Sequence, residues 1–91
     1  MAEMNRSVHK YPFVIQDEVT MLLPRGAKIV LVETQNGQAM MWCEVLPGFP
    51  MVPRNFRIYG TGMIIRSDCA HVASFQDDVF VWHLYEVINR D

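Results

Sequence analysis

The stretch that decides the fold is KIVLVETQNGQAMMWCEVL, residues 28–46. Two runs rich in apolar and β-branched residues flank Asn36-Gly37. Both of these residues tolerate the positive φ that a two-residue type I′ hairpin turn requires. The pattern therefore predicts a hairpin with strands over Lys28–Gln35 and Gln38–Leu46.

Side-chain alternation assigns the faces of the predicted strands, because successive side chains of a strand point to opposite sides. In the first strand of the hairpin, Val30 and Val32 are expected on one face. In a later strand, Asn55–Tyr59, we expect Phe56 and Ile58 inward and Tyr59 outward with the other odd-numbered residues.

Outside the hairpin, short apolar runs alternate with Gly, Pro, Asn and Asp turns, and no segment of helical length shows a 3.6-residue period. This pattern is typical of an all-β fold, which we predict to be a small antiparallel sandwich or partly open barrel of about six or seven strands. Pro47–Pro53, with three prolines and one glycine, is predicted to be a loop without regular structure. The remaining predicted strands are Val8–Ile15, Val19–Leu23, Asn55–Tyr59 with a continuation at Met63–Ile65, His71–Phe75 and Val79–Val87.

Length and composition limit the possible classes of protein. Ninety-one residues make one domain, predicted over residues 8–91 with residues 1–7 as a flexible tail. Seven methionines and ten aromatic residues exceed what so thin a core holds, so a homo-oligomer is expected. The net charge of −2 argues against binding of duplex nucleic acid. Short apolar runs and the absence of a signal peptide favour a cytoplasmic protein with no membrane partner.

The clearest candidate site is RNFRIYGTGMIIR, residues 54–66, which holds three arginines and no acidic residue. Arginine supplies a bidentate fork for phosphate or carboxylate, and a Gly-rich turn can form an anion nest from its backbone N–H groups. The alternative is three solvated arginines beside a bulge glycine. The predicted ligand-binding residues are Arg54, Arg57, Tyr59, Gly60, Thr61, Gly62, Arg66, Trp82 and His83.

Other chemistry-bearing residues give weaker signals. His83 lies between apolar neighbours, so it is either a ligand contact or an imidazole hydrogen-bonded in place. Cys43 and Cys69 form no CxxC pair and are expected to be reduced thiols. No zinc spacing, GxSxG motif or cysteine signature is present, so we predict no metal site, no cofactor and no enzyme activity. Asp77 and Asp78 are expected to be solvated at a turn.

Several blocks of this sequence resemble a family of small bacteriophage and prophage proteins known only as a domain of unknown function (DUF7352). The resemblance runs from His9 onward and implies a phage gene product that works in a bacterial cytoplasm. No activity comes with it. The blocks that carry it are HKYP from His9, PRGAKI from Pro24, QNGQ from Gln35 with the following Trp42, FRIYGTG from Phe56 and VWHLYE from Val81.

These observations lead to two expected functions. The first is a phage accessory protein, active against host defence, that captures an anionic ligand such as a signalling nucleotide in stoichiometric fashion. Arg57 would pair with the anion, and Tyr59 or Trp82 would stack on a base. The alternative is an inhibitor or structural interaction module that docks on a host protein and has no small-molecule ligand. That module would use the Pro47–Pro53 loop and exposed apolar residues, the adaptable methionines among them.

Overall fold

A computed structural model describes residues 5–88 and shows seven antiparallel strands in two sheets, with no helix among those residues. The predicted all-β class is confirmed. Within the described range there is accordingly no helix of the length and hydropathy that crossing a membrane requires. The strands are β1 (Ser7–Pro12), β2 (Glu18–Pro24), β3 (Lys28–Gln35), β4 (Gln38–Val45), β5 (Met51–Gly60), β6 (Cys69–Asp77) and β7 (Phe80–Val87).

The two sheets have the strand orders β1-β4-β3 and β2-β5-β7-β6. They meet where β3 lies beside β6, and there the Thr34 hydroxyl donates a hydrogen bond of 3.1 Å to the Gln76 carbonyl oxygen. At the other side, β1 and β2 are the outer edges of their sheets, joined by residues 13–17. This arrangement is a sandwich closed along one side, consistent with the predicted sandwich or partly open barrel.

The predicted hairpin at Asn36-Gly37 is confirmed. Asn36 has φ of 52° and Gly37 has φ of 78°, and Gln35 pairs with Gln38 across the turn. Positive φ at both central residues is what a type I′ turn requires, and it matches the twist of the two strands that flank the turn. The turn therefore sets the register of β3 against β4.

The core lies between the sheets and takes alternate residues from each strand. In β4, residues 39, 41, 43 and 45 are all buried, as alternation predicts. The four-stranded sheet contributes Leu23, Phe56 and Leu84, which are almost fully buried. Phe13 and Phe75 meet edge to face with ring centroids 5.8 Å apart, which closes one end of the core.

Bulges change the expected faces of two strands. The register of β3 shifts between Ile29 and Leu31, so Val30 is exposed while Val32 is buried. The prediction that these two valines share a face is therefore wrong, because one extra residue reverses the alternation. In β6 the register shifts between His71 and Ala73 in the same way.

The predicted loop over Pro47–Pro53 is wrong in its second half, because β5 begins at Met51 and contains Pro53. The Ile58 N–H bonds to the Asp17 carbonyl, so alternation directs the N–H groups of the even residues of β5 towards β2. Position 53 would direct its N–H to the other side, where pairing with β7 begins only at Phe56. The missing N–H of Pro53 thus costs no ladder hydrogen bond.

The ends of other strands also differ from the predictions. β1 starts at Ser7, within the predicted tail, and ends at Pro12; residues 1–4 of that tail lie outside the described residues. β6 extends to Asp77, so its hairpin with β7 turns at Asp78-Val79, and Asp78 takes a φ of 56°. β7 lies between β5 and β6, as expected of a central strand.

The prediction that Met63–Ile65 continues the strand is wrong. These residues are part of an irregular crossover that follows β5. β5 and β6 are both antiparallel to β7 and hence parallel to each other. The chain must therefore return across the sheet between them. Residues 61–68, here called the strap, make this crossing on the outer face of the four-stranded sheet, the face turned away from the core.

Candidate functional site

The two sides of β5 separate the predicted ligand-binding residues. Arg54 lies on the core-facing side, where its Nε and Nη2 donate to the Glu86 carboxylate at 2.7 and 2.8 Å. Its Nη1 donates to the Ala27 carbonyl at 2.5 Å. The hydrogen bond to Glu86 raises the pKa of the Arg54 guanidinium. Its donors are thus engaged within the fold, and Arg54 serves as a structural cross-link between β5 and β7.

Trp82 lies on the same core-facing side, opposite Gly60 in the β5–β7 pairing. Its ring stacks on Phe80 with centroids 5.6 Å apart. The indole Nε1 is buried and has no hydrogen-bond partner among residues 5–88. Arg54 and Trp82 therefore face away from Arg57, Tyr59 and His83, and the structure does not bring the predicted set together in one place.

Arg57 and Tyr59 lie on the outer face. Arg57 Nη1 is 2.7 Å from Glu18 Oε1, and its guanidinium lies 5.9 Å from the centroid of the Tyr59 ring. Tyr59 points outward as predicted, but it is buried because the strap covers it. Its hydroxyl accepts a hydrogen bond of 3.2 Å from the Arg66 backbone N–H. Its ring meets Tyr85 edge to face at 5.5 Å.

The Gly60-Thr61-Gly62 turn starts the strap. Gly62 has φ of 94°, a conformation that favours glycine. The Met63 N–H donates to the Gly60 carbonyl at 3.2 Å, and the Gly60 N–H points at Met63 Sδ at 3.1 Å. Two of the backbone amides that could line an anion nest are therefore already used within the turn.

Arg66 lies at the far end of the strap and pairs with Asp68 through two hydrogen bonds. The guanidinium holds the pKa of the Asp68 carboxyl below its usual value. All three arginines of the predicted basic cluster thus have a carboxylate partner on the outer surface or at the core edge. Residues 54–66 alone do not predict these acidic partners, because Glu18 and Glu86 come from distant strands.

A line of hydrogen-bonded side chains crosses the outer face beside the strap. Thr61 Oγ1 is 2.9 Å from His83 Nε2, His83 Nδ1 is 2.7 Å from Ser74 Oγ, and Ser74 Oγ is 3.0 Å from His71 Nε2. Each neutral imidazole offers one donor and one acceptor, so the whole line is satisfied in either direction. His83 is therefore an imidazole hydrogen-bonded in place, which also fastens the start of the strap.

Sequence reasoning missed His71 and Ser74 as neighbours of His83. They are three positions apart, and simple alternation would put them on opposite faces. The register shift after His71 brings both to the outer face, with His71 opposite Tyr85 and Ser74 opposite His83. Only a signal for the bulge would have found them, and the sequence offers none.

Residues 5–88 form no concave pocket for a small ligand, and they contain no group of three or more metal-ligating side chains. Burial raises the pKa of the Cys43 thiol to about 11, so that thiol is held in its neutral form inside the core. Cys69 Sγ lies 3.8 Å from the Tyr59 hydroxyl under the end of the strap.

The crest of the strap carries three consecutive apolar residues that the sequence assigned to a strand. Met63 is 53% exposed, Ile64 93% and Ile65 40%. Single exposed apolar residues are ordinary, but a contiguous exposed group marks an interaction surface. Because the Ile64 side chain is almost completely exposed, it adds little to the core of its own fold.

A model of one protein family, described as a domain of unknown function (DUF7352), matches residues 4–91. The chain belongs to this family. No curated protein and no solved structure matches it. For this DUF7352 member, the candidate site therefore rests on its own geometry: the strap, with Ile64 at its crest, above the outer-face side chains of Arg57, Tyr59 and His83.

Proposed function

We propose that the protein is a non-catalytic docking module that binds a partner protein through the strap, with Ile64 as the anchor. The observation that carries this proposal is the 93% exposure of Ile64 between two further apolar residues. Burying a branched aliphatic side chain in a partner contributes about 1.5–3 kcal/mol to association. This is the second of the two functions expected from the sequence, moved from the Pro47–Pro53 loop to the strap.

The strap is hydrogen-bonded to the rest of the fold near both of its ends, which favours binding. At its start, the Thr61 hydroxyl is hydrogen-bonded to the His83 imidazole. At its end, the Arg66 N–H donates to the Tyr59 hydroxyl, and the Asp68 carbonyl accepts a hydrogen bond of 2.7 Å from the Ile88 N–H. Pre-organised loops lose less conformational entropy when they bind. Ile64 is therefore presented on a loop whose two ends are held to the sheet by hydrogen bonds.

The partner we propose has a defined chemistry. Because Ile64 is 93% exposed and residues 5–88 form no pocket, the concave element of the interface belongs to the partner. It is a protein with an apolar pocket that accepts one branched side chain. If the chain is a phage product, as its resemblance implies, that protein belongs to the bacterial host.

A photo-crosslinking experiment tests the proposal. A photoreactive residue placed at Ile64 should attach to a single bacterial protein in cells, whereas the same residue at Val79, which is 77% exposed elsewhere on the surface, should not. The purified partner should then bind Ile64→Asp about tenfold or more weakly than Val79→Asp. Equal adducts at both positions, or adducts only with copies of this chain, would refute the proposal.

A second candidate, capture of an anionic ligand such as a nucleotide, is favoured by Arg57. Its Nε is buried without an acceptor among residues 5–88, and its Nη1 is held only by Glu18, whose side chain is 71% exposed. An anion that displaces Glu18 would meet the arginine and its Tyr59 support. Native mass spectrometry with a panel of nucleotides should then show a retained mass in wild type and in Arg25→Ala but not in Arg57→Ala. A bare wild-type protein would exclude this candidate.

A further inference from the structure

The outer edge of β2 leaves a short stretch of backbone open. The Asp17 carbonyl bonds to the Ile58 N–H, so the odd-numbered residues of β2 direct their backbone groups to β5. By alternation, the even-numbered residues direct theirs away from the sheet. These outward-facing residues are Glu18, Thr20, Leu22 and Pro24.

Both ends of this edge are closed within the chain. Gln16 Nε2 donates to the Glu18 carbonyl at 2.9 Å, and the Ala27 N–H donates to the Pro24 carbonyl at 3.0 Å. Within residues 5–88, no backbone hydrogen bond is made by the outward-facing groups of Thr20 and Leu22 between them. Residues 19–23 carry no charge, and the pairing of β2 with β5 runs from Glu18 to Pro24 without a bulge. Charges and bulges are the devices that normally prevent a strand edge from pairing.

We propose that this edge pairs with the same edge of a second copy of the chain, antiparallel, around a two-fold axis that passes Met21. In this register Thr20 of each copy lies opposite Leu22 of the other. Each such pair exchanges both N–H···O bonds, because both residues direct their backbone groups outward. Two four-stranded sheets then become one continuous sheet across the dimer.

Charge selects this direction and register. Asp17 and Glu18 precede the apolar run, and Arg25 follows it. Antiparallel pairing centred on Met21 places Asp17 of each copy opposite Arg25 of the other. Parallel pairing would set like charges side by side, and a shift by two residues would separate the opposite ones. The charges at the two ends are therefore complementary to a second copy.

The side chains also fit this pairing. Leu22 is 61% exposed on the outer face and would be covered by Thr20 of the partner. The strap runs from the end of β5 across β7 to β6, and so away from the outer edge of β2. A dimer formed at this edge leaves the strap free, so this inference and the proposed function stand or fall separately.

Sedimentation velocity over a range of concentrations tests the dimer. Leu22→Pro removes an outward-facing N–H without touching the bonds to β5, and we expect it to be monomeric. The matched control is Val8→Pro in β1: the Phe13 N–H bonds to the Ala39 carbonyl, so Val8 also directs its N–H outward. Val8→Pro should remain dimeric. A monomeric wild-type protein, or a dimeric Leu22→Pro, would overturn the proposal.

Two further measurements test the register. Arg25→Glu should weaken the dimer about tenfold by setting two pairs of like charges opposite each other, and Asp17→Lys in the same chain should restore it. Met21→Cys in a Cys69→Ser background should form a symmetric disulfide on oxidation, because residues paired at the axis lie within disulfide range. This cross-link does not depend on Leu22→Pro folding, and its absence would rule out the register.

Discussion

Arg54 and Arg57 lie three residues apart on β5 but occupy two different environments. Arg54 faces the core edge, makes two hydrogen bonds to a carboxylate that is itself mostly buried, and a third to a backbone carbonyl. Arg57 faces outward and meets a carboxylate that is largely solvent-exposed. The comparison shows that a cluster of arginines in sequence is not a basic patch in space, because strand alternation sends odd and even members to opposite faces.

The core-facing side of β5 should dominate stability. Phe56 is 1% exposed, and Phe56→Ala should lower the free energy of unfolding by about 3–5 kcal/mol, since it removes a packed ring and leaves a cavity. Urea denaturation followed by far-UV circular dichroism measures this loss. A change no larger than that of an outer-face substitution would contradict the division between the two sides.

The Arg54–Glu86 pair should give the next largest effect. Glu86→Ala leaves a largely buried guanidinium without its carboxylate and should cost about 2–3 kcal/mol, somewhat less than for a fully buried pair. Glu86→Gln keeps an acceptor and should cost less than Glu86→Ala. The same denaturation measurement applies, and equal losses for both variants would show that the carboxylate charge alone, and not packing or a neutral acceptor, holds the pair.

Tyr59 lies on the outer face but is buried, because its ring lies under the strap. Its hydroxyl is hydrogen-bonded to the strap backbone. Tyr59→Phe should cost about 1 kcal/mol through the lost hydrogen bond to the Arg66 N–H. Hydrogen exchange at that amide should accelerate while amides of β4 stay protected. Tyr85→Phe is the control, since the Tyr85 hydroxyl has no hydrogen bond within the described residues.

The smallest effect is expected on the outer face. Glu18→Gln removes the charge partner of Arg57 and should change the free energy of unfolding by about 0.5 kcal/mol or less, because exposed ion pairs contribute little. If this variant lost as much stability as Glu86→Ala, the proposed difference between the Arg54 and Arg57 ion pairs would be refuted.

Local signals in the sequence were sufficient for the fold class. The Asn36-Gly37 turn and the alternation in β4 both follow from the φ preferences and side-chain periods of single segments. These features depend on residues that are neighbours in the chain.

The candidate site could not be predicted to the same degree, because it depends on contacts between distant residues. No local pattern in the sequence predicts that Arg54 pairs with Glu86 or that Arg57 pairs with Glu18. The burial of Tyr59 depends on the path of the strap, and the meeting of His71 and Ser74 depends on a bulge. Pro53 also misled the prediction, since a proline breaks a strand only where its N–H would have had a partner.

The strap has one more consequence. It joins two parts of the molecule that are already held together by the pairing of β5 with β7, from Phe56–Glu86 to Gly60–Trp82. A protease that cut the chain beside Ile64 would therefore leave two fragments still docked through that ladder and the shared core. Produced separately, residues 5–63 and 65–88 should reassemble, which makes this small domain a natural split-protein pair.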